Sequence, residues 1–145
     1  MFARLKALPI AFAVLVSVVL ASAVYASDYW TKTVSGVTLT AQATSVKYCC
    51  FHWGGSASSN STTAIAIAVE NYGMETCNFS RFQRWYDSDW QNSSYWADAS
   101  GSGVYILPWD CTIYQDLSSE GYHLFWYAPY GIDETPFTES VIFYP

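Results

Sequence analysis

Thr63-Ala64-Ile65-Ala66-Ile67-Ala68-Val69 alternates with a period of two. Ile65, Ile67 and Val69 fall on one side, and Ala64, Ala66 and Ala68 on the other, because successive side chains of a strand point to opposite faces. One face of this strand is therefore core. The alanine face leaves room for close approach by another sheet or by a strand from elsewhere. Gly36-Val37-Thr38-Leu39-Thr40-Ala41-Gln42 repeats the pattern, with Val37, Leu39 and Ala41 inward and Thr38, Thr40 and Gln42 outward. Further strand candidates are Phe79 to Tyr86, Val104 to Leu107, Thr112 to Gln115, Tyr122 to Tyr127 and Glu139 to Tyr144. Turn signals separate them at Gly54-Gly55-Ser56 through Asn60, Asn71-Tyr72-Gly73, Ser100-Gly101-Ser102-Gly103 and Pro129-Tyr130-Gly131. No helical period runs through this part of the chain. The expected fold is all-β, an Ig-like or jelly-roll sandwich of seven to eight strands. An aromatic content of 19% suits pleated, half-buried surfaces.

A different pattern precedes these strands. Arg4 and Lys6 give a positive start, Ile10 to Leu20 is apolar apart from Ser17, and Ala21-Ser22-Ala23 and Val24-Tyr25-Ala26 are small-residue cleavage patterns. Residues 1–26 therefore read as a secretory signal helix. The competing reading is a retained anchor, since Leu8 to Ala26 approaches the roughly 20 residues a membrane helix needs. Pro9 and the two cleavage patterns favour removal. The expected organisation is a signal (1–26), an extended N-terminal segment (27–35) and a sandwich domain (36–145). Removal leaves four cations, Lys32, Lys47, Arg81 and Arg84, against twelve carboxylates, a net charge of −8. So acidic a chain is a poor partner for nucleic acid or anionic lipid. Charged residues are 12% of the chain, about half the usual share. The expected location is extracellular or at the cell surface, with no membrane contact once the signal is removed.

Four cysteines, Cys49, Cys50, Cys77 and Cys111, follow the signal. An even number in an exported domain points to two disulfides. A bond between neighbours 49 and 50 would be strained, so one of them should reach Cys77 and the other Cys111, in either pairing. Asn60, Asn78 and Asn92 head Asn-x-Ser/Thr sequons and are candidate glycan sites, Asn60, expected in a polar loop, being the best of the three.

Little points to catalysis. His52 and His123 are the two histidines, and neither a GxSxG elbow nor an HExxH helix is present. Asp87-Ser88-Asp89 with Asn92 resembles a calcium loop, but lacks its central glycine and closing glutamate. A solvated turn explains it better. Asp110 with Asp116, or Glu70 with Asp87, could be paired as glycosidase carboxylates, though no spacing selects them. The expectation is a non-enzyme with no cofactor and no metal. The run containing Trp85, Tyr86, Trp90, Tyr95 and Trp96 among Asp, Ser, Asn and Gln is the candidate binding surface. Packing of these rings inside the sandwich, around a disulfide, is the favoured reading of the same run.

Ala23-Val24-Tyr25-Ala26-Ser27-Asp28-Tyr29-Trp30-Thr31, then Val37-Thr38-Leu39-Thr40-Ala41, resembles the start of the camelysin/TasA-like biofilm-fibre proteins and their archaeal bundling-pilus relatives. Ala68-Val69-Glu70-Asn71-Tyr72-Gly73 resembles a strand-turn of their sandwich. About thirty residues carry the resemblance. It implies a jelly-roll-like subunit that polymerises with itself. The donor strand would be Ser27, Asp28, Tyr29, Trp30, Thr31, Lys32, Thr33 and Val34, added to a neighbour's sheet through main-chain hydrogen bonds. The expected function is thus a secreted structural subunit of an extracellular filament, pilus or biofilm matrix, disulfide-bonded and a glycoprotein. The alternative is a secreted module that binds carbohydrate or protein through its aromatic surface.

Overall fold

A computed structural model describes residues 24–48, 52–104 and 114–143. These residues are all-β, as the alternation implies. The strands are β1 (Val24–Val34), β2 (Val37–Tyr48), β3 (His52–Cys77), β4 (Ser80–Val104), β5 (Tyr114–Tyr127), β6 (Ile132–Glu134) and β7 (Phe137–Phe143). A single 3-10 turn, Ala128–Tyr130, joins β5 to β6. The expected signal helix lies outside the described residues up to Ala23.

One sheet holds all seven strands, and every pairing is antiparallel. β3 is its spine, at 26 residues. β4 runs along one edge of β3 for almost its full length. The other edge is shared: β2 takes Tyr48↔His52 to Leu39↔Ser61, and β5 takes Ala66↔Trp126 to Cys77↔Tyr114. Between these stretches the β3–β4 register slips, at Asn60/Ile65 and at Ile65/Ile67. Such irregularities bend a strand and increase its twist. The sheet therefore folds over, β1 and β2 come to face β5 and β7, and the whole is nearly closed into a barrel.

The bend encloses the inward sets. Val37, Leu39, Ala41, Ile65, Ile67 and Val69 are buried with Phe125 and Ile132. A second apolar cluster forms around Trp53 and Leu117, with Trp85 packed against it. Buried polar groups tie the layers together. Ser45 Oγ donates to Ser140 O at 2.7 Å and accepts from Ser119 N at 3.0 Å, and Ser119 Oγ donates to Asn71 Oδ1 at 2.7 Å. Inside a low-dielectric interior these pairings remove the cost of burying each group.

The turns differ from the sequence expectation. The stretches 54–60, 71–73 and 100–103 lie inside β3 and β4 rather than between strands. Gly55, Gly73 and Gly101 serve space, not chain reversal. At Gly73 and Gly101 the Trp85 indole stands where a side chain would, and at Gly55 Ser119 and the same indole do. The reversals fall instead at Ser35-Gly36, with φ of 50° and 79°, and at Asn78-Phe79, with φ of 50° and 64°. A pair of left-handed residues in a two-residue loop matches the strand twist. Pro129-Tyr130-Gly131 is a turn as expected, with Gly131 at φ 64°.

Candidate functional site

Two features stand out: the seam where the barrel fails to close, and the outer face of the β4–β3–β5–β7 layer.

Residues 27–34 are not a separate extended arm in this molecule. They are most of β1, zipped to β2 from Val24↔Lys47 to Val34↔Val37. The alternation shows why: Ala26, Trp30 and Val34 turn inward, while Tyr25, Ser27, Tyr29, Thr31 and Thr33 are exposed. Trp30 stacks on Phe125, centroids 5.9 Å apart and planes 22° from parallel. β1's other edge faces β7, with no ladder between them among the described residues. Side chains span this seam. Asp28 Oδ2 accepts from Glu139 N at 3.0 Å, Lys32 Nζ donates to Glu134 Oε1 at 2.7 Å, and Ser35 Oγ donates to Tyr130 O at 2.9 Å.

The expected aromatic surface splits. Trp85 turns inward onto its three glycines. Tyr86, Trp90, Tyr95 and Trp96 are exposed. Tyr86 joins a row that crosses four strands: Tyr86–Tyr72 at 4.8 Å, Tyr72–Tyr122 at 5.3 Å and Tyr122–Phe137 at 5.0 Å between ring centroids. Three of its members were missed in sequence, because only the register of distant strands brings them together. The hydroxyls are committed within the row. Tyr72 donates to Glu70 Oε2 at 3.1 Å, Tyr86 to Glu70 Oε1 at 3.2 Å, and Tyr122 to Glu120 Oε2 at 3.3 Å. Burial, and then the Glu70 carboxylate, push the Tyr72 phenol above its ordinary pKa. Arg81 is held by Glu120 and Glu139. On the same face Trp90 stands opposite Ala68, and Trp126 opposite Ala66. The alanine face thus lies as a low floor between two half-exposed indoles. A shallow cavity of about 310 Å³ adjoins it, lined by Ala68, Glu70, Tyr122, Leu124, Thr135 and Pro136 among others.

The remaining candidates take structural places. His123 is buried, sharing hydrogen bonds of 2.8 Å with Ser59 Oγ and with Thr138 Oγ1. Burial lowers its pKa to about 4, only partly opposed by Asp28, so the ring is a neutral link between layers. Asp87 and Asp89 accept from the next residue's backbone N–H, at 2.9 and 2.8 Å, but they lie inside β4, paired in register with Asn71 and Val69, and not in the expected turn. Burial, then Asp89 and Asp87, raise the Asp98 carboxyl above its ordinary pKa. No group of three metal-ligating side chains occurs among the described residues. Glu70 pairs with Ser88 in register and Asn71 with Asp87, so Glu70 and Asp87 point to opposite faces and cannot act as one carboxylate pair. Asp110 lies outside the described residues. So do Cys49, Cys50 and Cys111, and with them the disulfide pairing. Cys77 is buried and is not a free thiol. Asn78 is exposed at the β3–β4 turn, and Asn60 is exposed within β3 rather than in a loop. Asn92 belongs to β4.

Compared with known proteins, the chain matches no family model, no curated protein and no solved structure.

Proposed function

We propose that this chain is an exported structural subunit of an extracellular filament or surface matrix, assembled by exchange of β1 between neighbouring jelly-roll-like subunits. The observation that carries the reading is the position of β1. It is the first strand among the described residues, it lies at a sheet edge, and on its outer side the Asp28 and Lys32 side chains, rather than a backbone ladder, reach β7 and β6. It is anchored to the core by Trp30, which stacks on Phe125, and by Val34.

Exchange costs little, because every contact broken in one subunit is re-formed in the next. The β1–β2 register, the Trp30 stack and the Asp28 and Lys32 bridges are the same when β1 comes from a neighbour. Opening the turn also releases Ser35 from a left-handed φ of 50°, a conformation that costs a non-glycine residue about 1 kcal/mol. Donation forward and acceptance from behind is a heterologous contact, which propagates as an open fibre. Signal removal after Ala23 leaves β1 whole, and removal after Ala26 shortens it by three residues. Disulfides and glycans on the exposed sequons suit a fibre that works outside the cell.

Electron microscopy of the mature protein tests this, with and without an excess of a peptide comprising residues 24–34. Filaments that shorten as the peptide caps their ends are expected. A protein that remains monomeric at high concentration would contradict the reading.

A further inference from the structure

We propose that the outer face of the β4–β3–β5–β7 layer is a saccharide-binding platform for a neutral, hydroxyl-rich glycan chain. This site is independent of β1 exchange, since it uses none of the β1 contacts.

The chemistry of the face selects the ligand. Tyr86, Trp90, Tyr122, Trp126 and Phe137 each keep roughly half of their surface exposed, between 46% and 58%. So much aromatic area on one face is unusual for surface that serves no partner. The ring contacts along the Tyr86–Tyr72–Tyr122–Phe137 row, edge-to-face between Tyr72 and Tyr122 and tilted at its two ends, hold the rings in place, so a ligand need not order them. The C–H face of a pyranose is apolar and stacks on such rings, while its rim carries hydroxyl donors.

Hydrogen-bonding capacity matches as well. The phenol protons of Tyr72, Tyr86 and Tyr122 are already given to Glu70 and Glu120. What the face still offers is the remaining lone pairs of the half-buried Glu70 carboxylate, a carboxylate having about four acceptor sites, since Glu120 is buried and engaged by Arg81 and Tyr122. The ligand must therefore bring donors, and hydroxyls do so in strong charge-assisted bonds. An anionic ligand is disfavoured, because the guanidinium of Arg81 is already engaged by Glu120 and Glu139. The alanine floor between Trp90 and Trp126 gives a chain-like ligand a track, and the cavity beside Glu70 and Tyr122 gives it a place to seat one ring.

Affinity electrophoresis of the full mature protein in gels containing soluble β-glucan, xylan or mannan tests the proposal, followed by calorimetry on the best retarding polymer. Retardation by at least one neutral polysaccharide is expected, insensitive to added salt. Trp90→Ala and Tyr122→Ala should each weaken binding ~10-fold or more, as for aromatic hot spots elsewhere. Tyr29→Ala, on the exposed side of β1, should leave binding unchanged, and circular dichroism should show all three variants folded. Glu70→Gln keeps the shape and should weaken binding through lost acceptor strength. Absence of retardation by every neutral polymer would overturn the proposal. So would binding that survives Trp90→Ala and Tyr122→Ala together, or binding confined to charged polymers and abolished by salt. Filament formation should be unaffected by the Trp90, Tyr122 and Glu70 variants, none of which lies in β1, and this separates failure of this site from failure of β1 exchange.

Discussion

The Trp85 indole occupies the space that a side chain at Gly73 would need: a Cβ built on Gly73 collides with Trp85 Cε2. The same ring limits Gly101, whose Cβ would lie 2.6 Å from Cε3, and Gly55, whose Cβ would lie 2.8 Å from Cη2. One tryptophan thus fixes the approach of both halves of β3 to β4. Gly73→Ala should lower stability in urea unfolding by about 1–3 kcal/mol, the range for overpacking a filled site. In a Trp85→Ala background the same change should cost much less. A coupling energy well above 0.5 kcal/mol in that cycle is expected for groups in contact.

His123 gives stability a pH signature. Its folded pKa of about 4 lies below the unfolded value near 6.5. Above pH 6.5 neither state binds the proton, and the group has no effect. Between 6.5 and 4 only the unfolded chain becomes protonated, so stability falls, by up to about 3 kcal/mol. Below about 4 this contribution levels off. His123→Gln retains hydrogen-bonding ends and should flatten that part of the profile. Unfolding free energies at pH 7 and pH 4.5 for both proteins check it.

The seam should be the weakest part of the sheet. Asp28→Ala removes the acceptor for the Glu139 backbone N–H. The Glu139 amide should then exchange with solvent faster, by about fivefold for a bond contributing about 1 kcal/mol. Amides in the β2–β3 ladder should not change. Mass-resolved hydrogen exchange distinguishes the two.

The Ser35-Gly36 turn is the hinge. Asn tolerates the left-handed region better than Ser, and Asn-Gly is the favoured pair for this turn. Ser35→Asn should stabilise the closed monomer by about 0.5–1 kcal/mol and lower the yield of polymer. Sedimentation of matched samples reads both populations.

Much of the fold is legible in the alternation. Val37, Leu39 and Ala41, and Ile65, Ile67 and Val69, are inward as their period implies. The lengths of β3 and β4 are not legible, because glycine reads as a turn residue when it is alone in a sequence. At Gly55, Gly73 and Gly101 it is instead the absence of a side chain that matters, and only the position of Trp85 reveals this. The aromatic surface is legible in part. Tyr86 and Trp90 stand exposed on the outer face, but Trp85 does not. Tyr72, Tyr122 and Phe137 join them only through strand register. The N-terminal strand was recognisable as extended and β-prone, yet nothing in its residues distinguishes a partner strand in the same chain from one in a neighbour.

That distinction is open to direct measurement. Thr31 and Thr40 are register partners across β1 and β2, both on the outward side. In a Thr31→Cys/Thr40→Cys double variant, oxidation joins β1 to whichever β2 it pairs with. If subunits exchange β1, oxidised filaments will run on a non-reducing denaturing gel as a ladder of covalent oligomers, and each single variant will not. If filaments form but the double variant yields only internally bridged monomers, β1 stays at home and the account of assembly is wrong.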